Sequence, residues 1–99
     1  MELIVLGAAA GGGLPQWNCA GGQSYHVWQG QRSAQTQASV AIGDPTVGYV
    51  VINASPDLRQ QILETSQLHP SSTHTDGVRN SPIQAVIVTN ADVDNVAGL

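Results

Sequence analysis

The sequence has no phenylalanine, a single cysteine and four aromatic residues in all, and only 10% of its 99 positions are charged. Each shortage excludes something. A chain of one-domain length buries about 65% of the surface its unfolded form exposes, and without Phe it has few large side chains to bury, so a thin core is expected. The lone Cys19 cannot close an intramolecular disulfide and suits a reducing cytosol better than a secreted mini-protein. Three basic side chains against seven acidic ones leave a formal net charge of -4, the wrong sign for neutralising phosphates or settling on an anionic leaflet. Neither nucleic acid nor a membrane is therefore an expected partner. No apolar run approaches the ~20 residues of a membrane span. Leu3 to Ala10 imitates a signal peptide, yet Glu2 stands where a positive n-region is required and Gly7 interrupts the run. These features read as one cytoplasmic domain, residues 1–99.

What is present has the pattern of a mixed α/β chain. Leu3-Ile4-Val5-Leu6 is an unalternating apolar run ending at Gly7, which predicts a strand buried on both faces, and Gly11-Gly12-Gly13 predicts a loop. From Leu14 to Thr36 no period survives, so that stretch reads as a long irregular excursion. Ala38, Val40 and Ile42 alternate with Ser39 and Ala41; a Gly43-Asp44-Pro45 turn and the run Tyr49-Val50-Val51-Ile52 follow, predicting a hairpin. Ser55-Pro56 is a helix start, Ser to cap an orphan amide and Pro where no N–H is needed. Leu58 and Ile62 then give one apolar stripe in a helix of about ten residues ending near Thr65. Gln67 to Pro82 reads as a polar loop, and Ala85-Val86-Ile87-Val88 as a last buried strand. Strands and a helix in this alternation indicate α/β architecture, without internal repeats.

Several residue groups invite a chemical reading. The triple glycine fits neither a dinucleotide fingerprint nor a P-loop, so a tight strand exit explains it better. Cys19 with His26 would be half of a zinc site or a nucleophile, but no second cysteine exists to complete a zinc site, and a free structural or exposed thiol explains it better. His69 and His74 lie in the polar loop, where solvated imidazoles are the default. Asn53-Ala54-Ser55 matches a glycosylation acceptor, which carries no weight in a cytoplasmic chain. The strongest group closes the sequence: Asn90, Asp92, Asp94 and Asn95 directly follow a predicted buried strand. Four oxygen ligands at a strand's carboxyl edge suit a hard divalent cation. Equally, Asp and Asn in a polar loop can simply satisfy local backbone donors.

Taken together, Met1 to Leu14 with its glycine run, Pro15-Gln16-Trp17-Asn18-Cys19, Thr36-Gln37-Ala38-Ser39-Val40-Ala41, Asn53-Ala54-Ser55-Pro56-Asp57-Leu58-Arg59 and Thr89-Asn90-Ala91-Asp92-Val93-Asp94 with Gly98-Leu99 resemble the pyrroloquinoline quinone (PQQ) biosynthesis protein B family. The resemblance implies a metallo-β-lactamase-like αββα sandwich, of which residues 1–99 would be the N-terminal third. It implies a role in making PQQ from a peptide-derived Glu-Tyr precursor, either as an iron-dependent hydroxylase of the tyrosine ring or as a non-catalytic carrier in transport of PQQ or its precursor to the periplasm. The wider superfamily holds its metals with a His-x-His-x-Asp-His motif. Asn90 and Asp92 take the places of the first two His, Asp94 that of the Asp, and Asn95 that of the last His, which the family usually keeps. Asp92 and Asp94 would then be ligands of non-haem iron, with the remaining ligands beyond Leu99. Cys19 matches the first of several cysteines that bind structural zinc in many members; Ala20, Gly21 and Gly22 supply none of the others, so structural zinc is not expected. The resemblance leaves homo-oligomerisation open, and the 99-residue chain alone is expected to be unstable and inactive.

Overall fold

A computed structural model describes residues 1–71 and 78–99 of the chain. Its centre is a four-stranded sheet of β1 (Glu2–Gly7), β2 (Ser39–Asp44), β3 (Gly48–Ile52) and β4 (Ile83–Ile87), in that spatial order. β1 pairs with β2 and β2 with β3 antiparallel, whereas β4 lies parallel to β3. A parallel neighbour needs a crossover. Helix α1 spans Gly22–Trp28; the crossover contains helix α2 (Leu58–Leu63) and a 3-10 turn at Ser66–Leu68, and α3 is a single turn, Val93–Val96. Among the described residues no helix is long and apolar enough to cross a membrane.

The predicted hairpin is present, and its turn is built by one side chain. Asp44 Oδ1 accepts hydrogen bonds from the Thr46 N–H, the Thr46 hydroxyl and the Val47 N–H. The amide of Val47 and the Thr46 hydroxyl, in that order, hold the Asp44 carboxyl below its usual range.

The core lies on one face of the sheet. Ala41, Tyr49 and Val51 are fully buried with Leu68, and Ile4, Leu6, Leu58, Ile62, Ile83 and Val86 pack around them. The α2 stripe of Leu58 and Ile62 covers this face as its spacing predicts. Tyr49 is the single buried aromatic, and its phenol donates to the Glu2 carboxylate. That hydrogen bond, reinforced by burial, pushes the Tyr49 pKa up to about 12.

Five expectations need correction. β1 and β4 exist where predicted but are not buried on both faces: Leu3 and Val5 are 63% and 62% exposed, and Ile87 is 55% exposed. Their outward faces carry apolar side chains, but no described element lies over them. In β2 the alternation is real, but the fully buried members are the small Ser39 and Ala41 rather than Val40 and Ile42. The excursion after Leu14 contains α1, invisible to periodicity because only Ser24 of its seven residues is buried. The helix expected to reach Thr65 has six residues, with Asp57 rather than Ser55 at its N-terminal boundary; Ser55 instead accepts the Asp57 N–H through its hydroxyl at 3.1 Å. Finally, the polar loop from Gln67 is not wholly solvated, since Leu68 seals the core. His74 falls outside the described residues. His69 is exposed, with its Nε2 3.1 Å from the Leu63 carbonyl.

Candidate metal centre

The ends of β3 and β4 lie side by side because the two strands run parallel, so the residues that follow them share one edge of the sheet. Asn53 follows β3. Its N–H donates to the Ile87 carbonyl at 2.8 Å, which continues the ladder one residue past the strand. Its Oδ1 accepts from the Thr89 N–H at 2.9 Å and from the Thr89 hydroxyl at 3.1 Å. Ala54 then donates to the Asn95 carbonyl at 2.8 Å and accepts from the Gly98 N–H at 2.9 Å. Gly98 must be glycine here: a β-carbon would stand 2.1 Å from the Ser55 carbonyl oxygen.

Between these two anchors lie the four candidate ligands. Asn90 Oδ1 accepts from the Asp92 N–H at 2.9 Å and from Asn95 Nδ2 at 2.6 Å, so the carboxamide organises the turn itself. This is the local backbone-satisfying role that Asn commonly takes in turns. Asp92 is exposed at the N-terminal boundary of α3 and makes no capping bond with its side chain. Asp94 is half-buried in the first turn of α3, and its carboxylate lies against the glycine loop, 3.4 Å from where a Gly11 β-carbon would stand.

That loop is fixed from beneath. Gly12 donates to Gln37 Oε1 at 2.9 Å, and Gln37 donates from both its backbone and its side chain to Asp57 Oδ2. Gly12 and Gly13 have φ of 91° and 78°, a region in which glycine carries no steric penalty. Gln61, fully buried, donates to Thr36 Oγ1 and to the Gln37 carbonyl, while its own Oε1 has no partner. Sequence reasoning missed Asn53, Gln37, Asp57 and Gln61. The usable signal was Asn53, because an Asn directly after a buried strand is a residue that tolerates positive φ.

In kind, the donors suit a divalent cation, since carboxylate and carboxamide oxygens are hard ligands. In number they fall short: Asn90 Oδ1 is committed to the turn, and among the described residues no three His, Cys, Asp or Glu side chains gather into a metal-holding group. Cys19 lies apart from these residues in the chain's irregular region. It borders a cavity of about 550 Å³ lined also by Ala8, Leu14 and Arg32, and its thiol points to the Gly21 carbonyl. His26 pairs with Gln31 rather than with Cys19.

Along its full length the chain is 54% identical to coenzyme PQQ synthesis protein B of Rhodopseudomonas palustris strain TIE-1, covering 31% of that protein. It is 52% identical to the protein of the same name from Xanthomonas oryzae pv. oryzae, of which it covers 32%. Over its whole length the chain is similar to coenzyme PQQ synthesis protein B. It spans about a third of the length of these curated relatives. No family model matches it. The crystal structure of Zn(2+)-bound PqqB from Methylobacterium extorquens superimposes with a TM-score of 0.88 at 46% identity, over 99% of this chain and 34% of that one. A diphosphatase of the PhnP family superimposes with a TM-score of 0.66 at 24% identity, over 97% of this chain and 32% of that one, which bears on the fold alone. The fold is that of the metallo-β-lactamase class, as the sequence resemblance implied. Since the PqqB crystal contains zinc, the expectation that a structural zinc is not held here gains no support.

Proposed function

We propose that this chain contributes one side of a metal-dependent step in the biosynthesis of PQQ. Asp92 and Asp94 supply anionic oxygen ligands, and further ligands come from parts of the protein outside these 99 residues. The observation that carries the reading is the placement of both carboxylates on a turn held at each end by the segment after β3, with Asp94 against the glycine loop. Two carboxylates, with nitrogen ligands added from elsewhere, form the mixed donor set that suits a non-haem ferrous ion with open positions. Bound there, iron would supply the redox chemistry by which dioxygen, with two electrons from a co-reductant, hydroxylates a tyrosine-derived ring and releases water. The substrate in this reading is the peptide-derived Glu-Tyr precursor. The role of this chain's own residues is to hold the two carboxylates still and to let the glycine loop approach them closely.

Anaerobic titration of the full-length protein with ferrous iron tests the reading. Stoichiometric binding that Asp92→Ala abolishes supports it. Absence of binding, or binding unchanged in that variant, rejects it.

A second reading rests on Asn90 and Asn95, whose neutral amides are turned toward each other rather than left as open ligands. In that case the protein is a carrier that binds PQQ or its precursor without turning it over. Conversion of the precursor by purified protein supplied with iron, oxygen and reductant excludes the carrier.

A further inference from the structure

Asn53 is the one non-glycine residue among those described with positive φ, at 65°. Asn and Asp reach this region more readily than other side chains, though still at some cost, and such residues concentrate where a site over-determines the backbone. The surroundings of Asn53 show what fixes it. Its N–H bonds to the Ile87 carbonyl and its carbonyl accepts from the Ser39 hydroxyl at 2.8 Å. With both backbone groups engaged, the left-handed bend sets the carboxamide against Thr89, where Oδ1 takes two donors at once. The side chain thereby continues the β3–β4 ladder after the backbone of β3 has turned away.

Thr89 is the last residue before the turn that carries Asp92 and Asp94. Ala54, the residue after Asn53, ties down the far side of the same turn through Asn95 and Gly98. Resting on the metal reading above, we infer that Asn53 is a positioning residue for the metal centre: its carboxamide oxygen sets where β4 ends and hence where the two carboxylates stand. Groups that orient metal ligands from outside the coordination shell typically change affinity about 10–100-fold when removed. Asn53 acts one step further out, at the base of the ligand turn, so the lower end of that range is expected.

The test uses the full-length protein, with zinc affinity read by competition against a chromophoric chelator and ligand geometry read from the visible spectrum of the cobalt(II) form. Asn53→Gly keeps the positive φ without strain and deletes only the side chain. About tenfold weaker zinc binding and an altered cobalt spectrum are expected, at a thermal stability close to that of the parent. Asn53→Asp keeps an acceptor oxygen and is expected to restore both. Thr89→Val removes one of the two donors without touching residue 53, and a weaker zinc affinity is expected there too, which covers the case in which Asn53→Gly does not fold. Parent-like affinity and spectrum in Asn53→Gly, or in Thr89→Val if the former is unfolded, overturns the inference while leaving the metal reading intact, provided Asp92→Ala still loses zinc. Asn53→Asp behaving like Asn53→Gly also overturns it. If Asp92→Ala binds as the parent does, the centre itself is rejected, and the role of Asn53 with it.

Discussion

The two faces of the sheet are close to each other in composition and far apart in burial. On the face covered by α2, Ala41, Tyr49 and Val51 are sealed by Leu68 and flanked by Ile4, Leu6 and Val86. The strand registers place Leu3, Val5, Val40, Ile42, Val50, Ile52, Ala85 and Ile87 together on the opposite face. None of these eight is fully buried, and three of them are more than half exposed. The lesson is that apolar patterning reports which residues avoid water in the finished protein, while burial in 99 residues reports only which of them these residues can shelter. Because both faces are apolar, the sequence shows no polar side to the sheet, and a run such as Leu3 to Leu6 reads as doubly buried.

The comparison can be broken by matched truncations. Leu68→Ala on the sheltered face should cost about 2–5 kcal/mol, as for other large-to-small core changes, measured by denaturant unfolding of the full-length protein. Ile87→Ala separates the two faces. In a 99-residue chain kept monomeric by Leu3→Lys and Val5→Lys it should stay within about 0.5 kcal/mol, as at a surface position. In the full-length protein it should rise toward the core value if a second layer covers this face. Equal small effects in both lengths would show that the open face is never covered. A broad exposed apolar sheet face with an unpaired edge also promotes association. The 99-residue chain is therefore expected to aggregate, and Leu3→Lys with Val5→Lys should return it to a monomer in analytical ultracentrifugation. A smaller effect is expected from Gln61→Met, which loses two donated hydrogen bonds and also the unpartnered oxygen: about 1 kcal/mol of destabilisation.

A further prediction concerns pH. The sheltered face holds Tyr49, whose phenol donates to the Glu2 carboxylate. The tyrosine's pKa is raised from 10.0 to about 12, so the unfolded chain loses this proton first as pH rises. Stability from this group is complete below pH 10 and drains away as pH climbs toward about 12. Glu2→Gln should move the fall to lower pH in equilibrium unfolding followed by circular dichroism. A profile flat to pH 12 would show that the pair contributes nothing.

Local rules carried the reading where a side chain acts on its own neighbours. The hairpin was legible because Gly43, Asp44 and Pro45 mark its turn between two apolar runs, and the α2 stripe because Leu58 and Ile62 sit one turn apart. The acidic turn after β4 was legible as a cluster, although its internal wiring through Asn90 was not. What stayed hidden depends on partners distant in sequence. Leu68 becomes core only because the crossover folds it onto β3. Gln37 meets Asp57 across 20 positions and Gly12 across 25. Asn53 meets Thr89 across 36, a contact that the sugar-acceptor pattern of its tripeptide gave no reason to expect. Helix α1 was missed for the opposite reason: it buries too little to leave a periodic trace.

The parallel pairing of β3 with β4 also divides the protein's freedom to vary. Both strands advance toward the edge that carries Asn53 and the acidic turn, while the hairpin turn at Asp44 closes the opposite end. Changes at the hairpin can alter folding or solubility without disturbing the turn at Asp92 and Asp94. Changes at the other end fall on the turn proposed above to carry metal ligands, while the hairpin keeps the scaffold intact. One reversal of strand direction thus gives selection two handles on the same small sheet.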